Sequence, residues 1–298
     1  MNKDTLKREI NDRVRLIDQA LDNYLSNSAM PETLHQAMRY SVFAGGKRLR
    51  PVLLLASAEA VGGNADLLLP AAAAFEMVHT YSLIHDDLPA MDNDDFRRGQ
   101  PTNHKVFGEA MAILAGDGLL TEAFGLITEC CVSESIAPGT VVTVIKELSL
   151  AAGPFGMIGG QAADISSENQ SIDKEVLDYI HSHKTGALFK ACVRAGAIMG
   201  GGSAEQLAAL TRYAENLGLA FQITDDVLDV EGDSRKLGKT VGSDERLKKA
   251  TYPSLYGLEV SKKLAADAVD RTLRALDMFG READLLRYIA GYLLERDN

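Results

Sequence analysis

The sequence predicts an all-α protein, a bundle of about ten or more helices in one domain, and three observations carry that expectation. Apolar residues recur at three- and four-residue steps along nearly the whole chain, while the two-residue alternation of strands is nearly absent. Proline and glycine fall between the periodic stretches rather than inside them. No linker, low-complexity tract or sustained charge block divides the 298 residues, and the eight prolines are scattered, so residues 1–298 are expected to form a single domain.

Leu6, Ile10, Val14, Ile17, Leu21 and Leu25 form the first amphipathic stripe. Pro31 precedes a second over 32–44, and Gly45-Gly46 separates it from a third over 48–61. Gly62-Gly63 precedes 66–88, where "AAAAFEMVHTYSLIHDD" is apolar nearly all round and predicts a central helix covered by the others. Gly99 and Pro101 precede 107–131, Pro138-Gly139 opens 138–151, and Gly153-Pro154 lies before 173–199. Gly200 to Gly202 precede 203–230, while Gly232 and Pro253 separate it from 258–294.

With 46% hydrophobic and 24% charged residues the chain is globular, and a formal net charge of -11 argues against nucleic acid or an anionic membrane as partner. An anionic ligand must therefore meet a local cluster of positive charge. Cys130, Cys131 and Cys192 are few, odd in number and without metal-ligand spacing, which points to a reducing compartment. The N-terminal 21 residues are charged throughout, and the apolar stretch at 67–78 is broken by Pro70 and Glu76 and too short to span a bilayer. A soluble cytoplasmic protein is expected.

In "SLIHDDLPAMDNDDFRRGQ", residues 82–100, five aspartates fall within ten positions. Asp86 and Asp87 end the central helix, where the helix dipole disfavours negative charge, so something positive must compensate. On an unbroken helix Asp92 would point about 240° away from Asp86, but Pro89 ends or kinks it and a loop can return Asp92 to the same side. A second cluster, Asp225, Asp226 and Asp229 in "FQITDDVLD", ends another apolar helical stretch, with Asp225 and Asp229 on one face. Two such helix ends facing each other would present hard oxygen ligands suited to Mg²⁺ and a phosphate.

The basic residues fit that chemistry. "GGKRLRP" puts Lys47, Arg48 and Arg50 at a helix start, "FRRG" adds Arg97 and Arg98, "HKTG" adds Lys184 with Thr185, and "RKLGKT" adds Lys236 and Lys239. Singly each is a solvated surface charge; beside glycines and acidic clusters they read as diphosphate clamps. His79 lies on the Asp86 stripe two turns deeper, where a core histidine and a ligand-binding one are equally served.

These segments, together with "KTGALF", resemble the trans (head-to-tail) isoprenyl diphosphate synthases, and among them the bacterial farnesyl diphosphate synthases, in order from about residue 40 to 260. The resemblance implies the isoprenoid synthase fold around a deep central cavity, a homodimer, isoprenyl diphosphate substrates, and three Mg²⁺ between the aspartate motifs. It implies Asp86, Asp92 and Asp225 as metal ligands, with Asp87, Asp226, Asp229 and Lys184 completing the catalytic set. It places isopentenyl diphosphate on Lys47, Arg50, His79 and Arg98, and the allylic diphosphate on Arg97, Lys184, Thr185, Phe221, Gln222 and Lys239. The implied reaction ionises the allylic C–O bond, joins the isopentenyl double bond to the resulting cation, and loses a proton to the departed diphosphate.

Tyr81 and Ser82 lie five and four positions before Asp86, Tyr81 about 7.5 Å lower along the helix. Helical geometry sets Ser82 more squarely on the aspartate face. The resemblance makes Tyr81 the floor, because a bulky residue there, with two extra residues inside the first motif, goes with short products. Farnesyl diphosphate is the expected product, and geranylgeranyl diphosphate the alternative. Three rivals are weaker: a terpene cyclase would leave Lys47, Arg50 and His79 idle, a non-catalytic regulatory subunit would be expected to lose motif aspartates, and a metallohydrolase rests on His85-Asp86 alone.

Overall fold

The computed structural model describes residues 3–26, 31–132, 136–168, 170, 172–231 and 251–295. Among them the helices are α1 (Lys3–Tyr24), α2 (Glu32–Val42), α3 (Leu49–Ala60), α4 (Leu69–Asp86), α5 (Asn103–Phe107), α6 (Glu109–Thr128), α7 (Pro138–Ala152) and α8 (Met157–Ser167). They continue with α9 (Lys174–Ile180), a π turn (His181–Gly186), α10 (Ala187–Met199), α11 (Ala204–Glu231), α12 (Tyr252–Tyr256), α13 (Leu258–Arg274) and α14 (Asp284–Glu295). The all-α expectation is met.

The centre is built from α3, α4 and α10, whose side chains are mostly small or apolar and buried. Ala71 to Ala74 are fully buried, which lets neighbouring helices approach α4 closely. A Cβ on Gly196 of α10 would overlap the Leu54 carbonyl of α3, so that crossing is made backbone to backbone. On α6, Gly116 leaves room for the His85 imidazole, whose Nε2 lies 3.0 Å from the Ile113 carbonyl oxygen. His85 thus serves packing against α6, which removes the basis for a metallohydrolase reading.

Three local features depart from the sequence expectation. The stripe at 258–294 is two helices, because the chain turns after Arg274 and the Arg287 guanidinium donates to the carbonyls of Leu276, Phe279 and Gly280. The 173–199 stripe stays helical but widens into the π turn at its middle. A two-residue antiparallel hairpin pairs β1 (Phe96–Arg97) with β2 (Gln100–Pro101), its turn made by Arg98 at φ 53° and Gly99 at φ 76°.

The expectation that no stretch could cross a bilayer counted uninterrupted apolar runs and needs correction. By length and composition Ala65–Asp86, Glu109–Cys131 and Pro138–Ser167 are apolar enough, since a crossing helix tolerates one or two charges. The first lies largely inside the bundle. The third is broken at Gly153 into α7 and α8, of 15 and 11 residues, each short of the roughly 20 a span requires. What remains is an outward apolar surface on α6, α7 and α8 that includes Ile113, Leu114, Val142, Leu150 and Ile158, with Phe155 between α7 and α8.

Candidate active site

The first aspartate motif folds back on itself at the end of α4. The Asp92 amide donates to the Asp86 carbonyl at 2.9 Å, so the turn after Pro89 does return Asp92 beside Asp86. Ion pairs of Asp87, Asp94 and Asp95 shape the loop. Asp87, buried, receives Arg97 at 2.5 and 2.7 Å, Asp94 lies 3.6 Å from Arg97, and Asp95 pairs with Lys105 at 2.8 Å. Burial opposes the charge of Arg97, but Asp87, Asp86 and Asp94 more than restore it. Asp86 is pushed up to about 6 by burial, with Asp92 and Asp87 adding and Lys184 and Arg97 opposing.

The hairpin sends the two arginines apart. Arg97 returns to the aspartates, whereas Arg98 reaches the glycine pair before α3 and donates to the Gly45 carbonyl. Gly46, at φ 132°, holds a backbone conformation that favours glycine, and a Cβ there would also press on the Arg98 guanidinium at 2.6 Å. His79 is held well below the usual imidazole range by burial and by Arg50, Arg98, Arg97 and Arg48, so it is neutral among four arginines. Arg50 has its guanidinium carbon 4.6 Å from the centre of the Phe189 ring. Its buried Nε has no hydrogen-bond partner, and burial draws its pKa down. Lys47 is exposed on the same loop. Arg48 departs from the clamp expected of it: it is buried and fully engaged by protein groups.

The π turn links the two aspartate motifs. Lys184 faces Asp86 electrostatically and donates to Asp164 of α8 at 2.6 Å, while Thr185 donates to Gln222 of α11 at 2.9 Å. Gln222 in turn donates to Asp226 at 2.9 Å, whose other oxygen accepts the Tyr252 amide at 3.0 Å. Asp226, expected among the catalytic carboxylates, therefore has both oxygens committed to protein donors. Asp229 is buried one turn further, and Asp225 is half-buried on the same helix. Phe221 packs on Phe189 with centroids 5.1 Å apart. Lys236 and Lys239 lie outside the described residues.

Sequence reasoning missed Asp164 and its neighbour Gly160, where a Cβ would overlap the Lys184 backbone. The signal was the glycine pair inside "MIGGQAADIS", an unusual interruption of an otherwise good helix. Tyr81 is buried below Asp86, stands edge-on to His85 at 5.7 Å, and has an Oη without a hydrogen-bond partner. Burial, then Asp86, pushes its phenol up to about 12. Ser82 bonds back to the His79 carbonyl at 2.8 Å.

Among the described residues no three carboxylates, imidazoles or thiols come close enough to hold a metal ion alone. The π turn bears on both motifs, Lys184 through its charge on Asp86 and Thr185 through Gln222 and Asp226. Hard oxygen donors, one of them a buried carboxylate with a raised pKa, still suit a hard divalent cation whose shell is completed by water and phosphate. A cavity of about 590 Å³ opens beside the π turn, lined by Asp178, Lys190 and Leu264 and, next to the second motif, by Ile223 and Tyr252.

A family model described as polyprenyl synthetase matches residues 31–284. The farnesyl diphosphate synthase of Geobacillus stearothermophilus is 50% identical over 99% of both chains. The chloroplastic geranylgeranyl pyrophosphate synthase of Capsicum annuum is 47% identical over 95% of this chain and 76% of its own. The solved apo structure of an FPP/GFPP synthase from Zymomonas mobilis superposes with a TM-score of 0.86 at 40% identity, covering 97% of this chain and 99% of its own. With a sequence match that spans the site and a fold match that spans the bundle, the chain belongs to the polyprenyl synthetase family.

Proposed function

We propose that this prenyltransferase condenses isopentenyl diphosphate head-to-tail with dimethylallyl and then geranyl diphosphate, releasing farnesyl diphosphate. The observation that carries the reading is the π turn. Its Lys184 acts on Asp86 of the first motif by charge, and its Thr185 reaches Asp226 of the second through Gln222, which supports one basic junction serving both acidic helix ends. The likeness to the Geobacillus enzyme supports the product assignment.

Asp86, Asp92 and Asp225 would hold Mg²⁺, three ions in all, with Asp229 nearby; bound Mg²⁺ supplies charge neutralisation at a leaving diphosphate. Asp87 and Asp226 act on that site indirectly, the first by aiming Arg97 and the second by fixing Gln222. Arg97 and Lys184 grip the allylic diphosphate, and Thr185, Gln222 and Phe221 line the path of the allylic cation without offering a strong nucleophile. Lys47, Arg50, neutral His79 and Arg98 hold isopentenyl diphosphate so that its double bond faces that cation. Tyr81, a buried aromatic beneath Asp86, closes the tail path.

The molecule acts as one domain and as a cytoplasmic homodimer, with the apolar surface of α6 to α8 against a second copy. Light scattering at the 32.1 kDa mass of one chain would contradict the dimer. The function is tested by incubating the protein with labelled isopentenyl diphosphate, dimethylallyl diphosphate and Mg²⁺ and separating products by length. Fifteen-carbon product is expected. Mostly twenty-carbon product would favour the geranylgeranyl alternative, and no condensation would overturn the reading.

A further inference from the structure

We propose that Arg48 and Glu76 are positioning residues for isopentenyl diphosphate, a buried ion pair latched from outside by Asp18 that sets the anion-binding loop. The inference rests on the assignment of that loop to isopentenyl diphosphate under the proposed function.

Arg48 is the residue before α3 and adopts a left-handed backbone, φ 47° and ψ 35°, that a side-chain-bearing residue rarely takes. Its guanidinium accounts for the conformation. Nη1 donates to Glu76 of α4 at 2.9 Å, Nε to Asp18 of α1 at 2.8 Å, and Nη2 to the Val42 carbonyl closing α2 at 2.6 Å. One side chain thus fixes the loop against three helices. The reversal at Arg48 leaves Lys47 exposed on one side of it, and two residues on Arg50 turns inward over Phe189.

Glu76 is 1% exposed and lies one turn before His79 on the same face of α4. Its charge also acts on Arg50 and Arg98, countering the burial that lowers both. It is therefore the shared counter-charge beneath Arg48, Arg50 and Arg98, which would otherwise repel one another in a confined space. Asp18 sits at the rim, its side chain 42% exposed, and touches the site only through Arg48.

The test measures Michaelis constants for both substrates, kcat and far-UV circular dichroism in Asp18→Ala, Glu76→Gln and Arg50→Ala. Asp18→Ala should raise the isopentenyl constant about threefold and Glu76→Gln about tenfold, with kcat and the allylic constant within about twofold. Unchanged constants in both variants, equal rises for the two substrates, or a lower isopentenyl constant in Glu76→Gln, as a simple gain of positive potential would give, overturn the proposal. Should Glu76→Gln fail to fold, the half-exposed Asp18→Ala decides alone. An Arg50→Ala variant with an unaltered isopentenyl constant would instead overturn the assignment of the site.

Discussion

The carboxyl of Asp86 ionises near pH 6 in the fold, against 3.8 in an unfolded chain, because burial opposes its charge. An acid with a raised folded pKa leaves stability intact below the unfolded value and subtracts from it as pH rises from the unfolded value to the folded one, above which the loss is complete. Metal-free Asp86→Asn should therefore be more stable than the parent by roughly 1–3 kcal/mol at pH 7.5 and by about a third of that at pH 4.5. Urea unfolding in EDTA at the two pH values checks this. A gain equal at both, or a loss at pH 7.5, would show that Asp86 is not held against its own charge. Such strain is what a cation-binding carboxylate carries before its partner arrives, and activity should fall in the same variant.

At the scale of elements, the hairpin and the π turn do what plain helices could not. Arg97 and Arg98 are adjacent in sequence, and the left-handed turn aims one at the aspartates and the other at Gly45. Arg97→Ala should mainly raise the Michaelis constant for the allylic substrate and Arg98→Ala that for isopentenyl diphosphate, each by about tenfold or more. Identical profiles for the two variants would contradict the division.

The family resemblance leads one to expect that division of the two arginines, and the structure separates them through a hairpin. Four residues carry too little alternation to announce a strand, and only the Arg98-Gly99 pair hints at the turn. The π turn is silent for a similar reason, since one extra residue per turn does not break the apolar stripe of 173–199. The central helices, the Pro89 turn and the aspartate-tipped helix ends are legible because composition and periodicity fix them. Arg48 is not, since its burial depends on Asp18 and Glu76, 30 and 28 residues away.

Across the whole molecule, the proposed tail path runs from the aspartates along α4, where the large side chains are buried among alanines. Tyr81 is one of these large side chains, and Tyr81→Ala should shift product toward twenty carbons or more, read by chromatography of the dephosphorylated products. A clean stop at fifteen carbons would move the floor to another helix.

The central claim is that two aspartate motifs on separate helices serve one reaction through the turn between them. Turnover of wild type, Asp86→Ala and Asp225→Ala, assayed side by side with Mg²⁺ and both diphosphates, tests it most directly. Each variant should lose about a thousandfold or more in kcat while keeping its helical circular dichroism. Wild-type turnover in either one would contradict the claim.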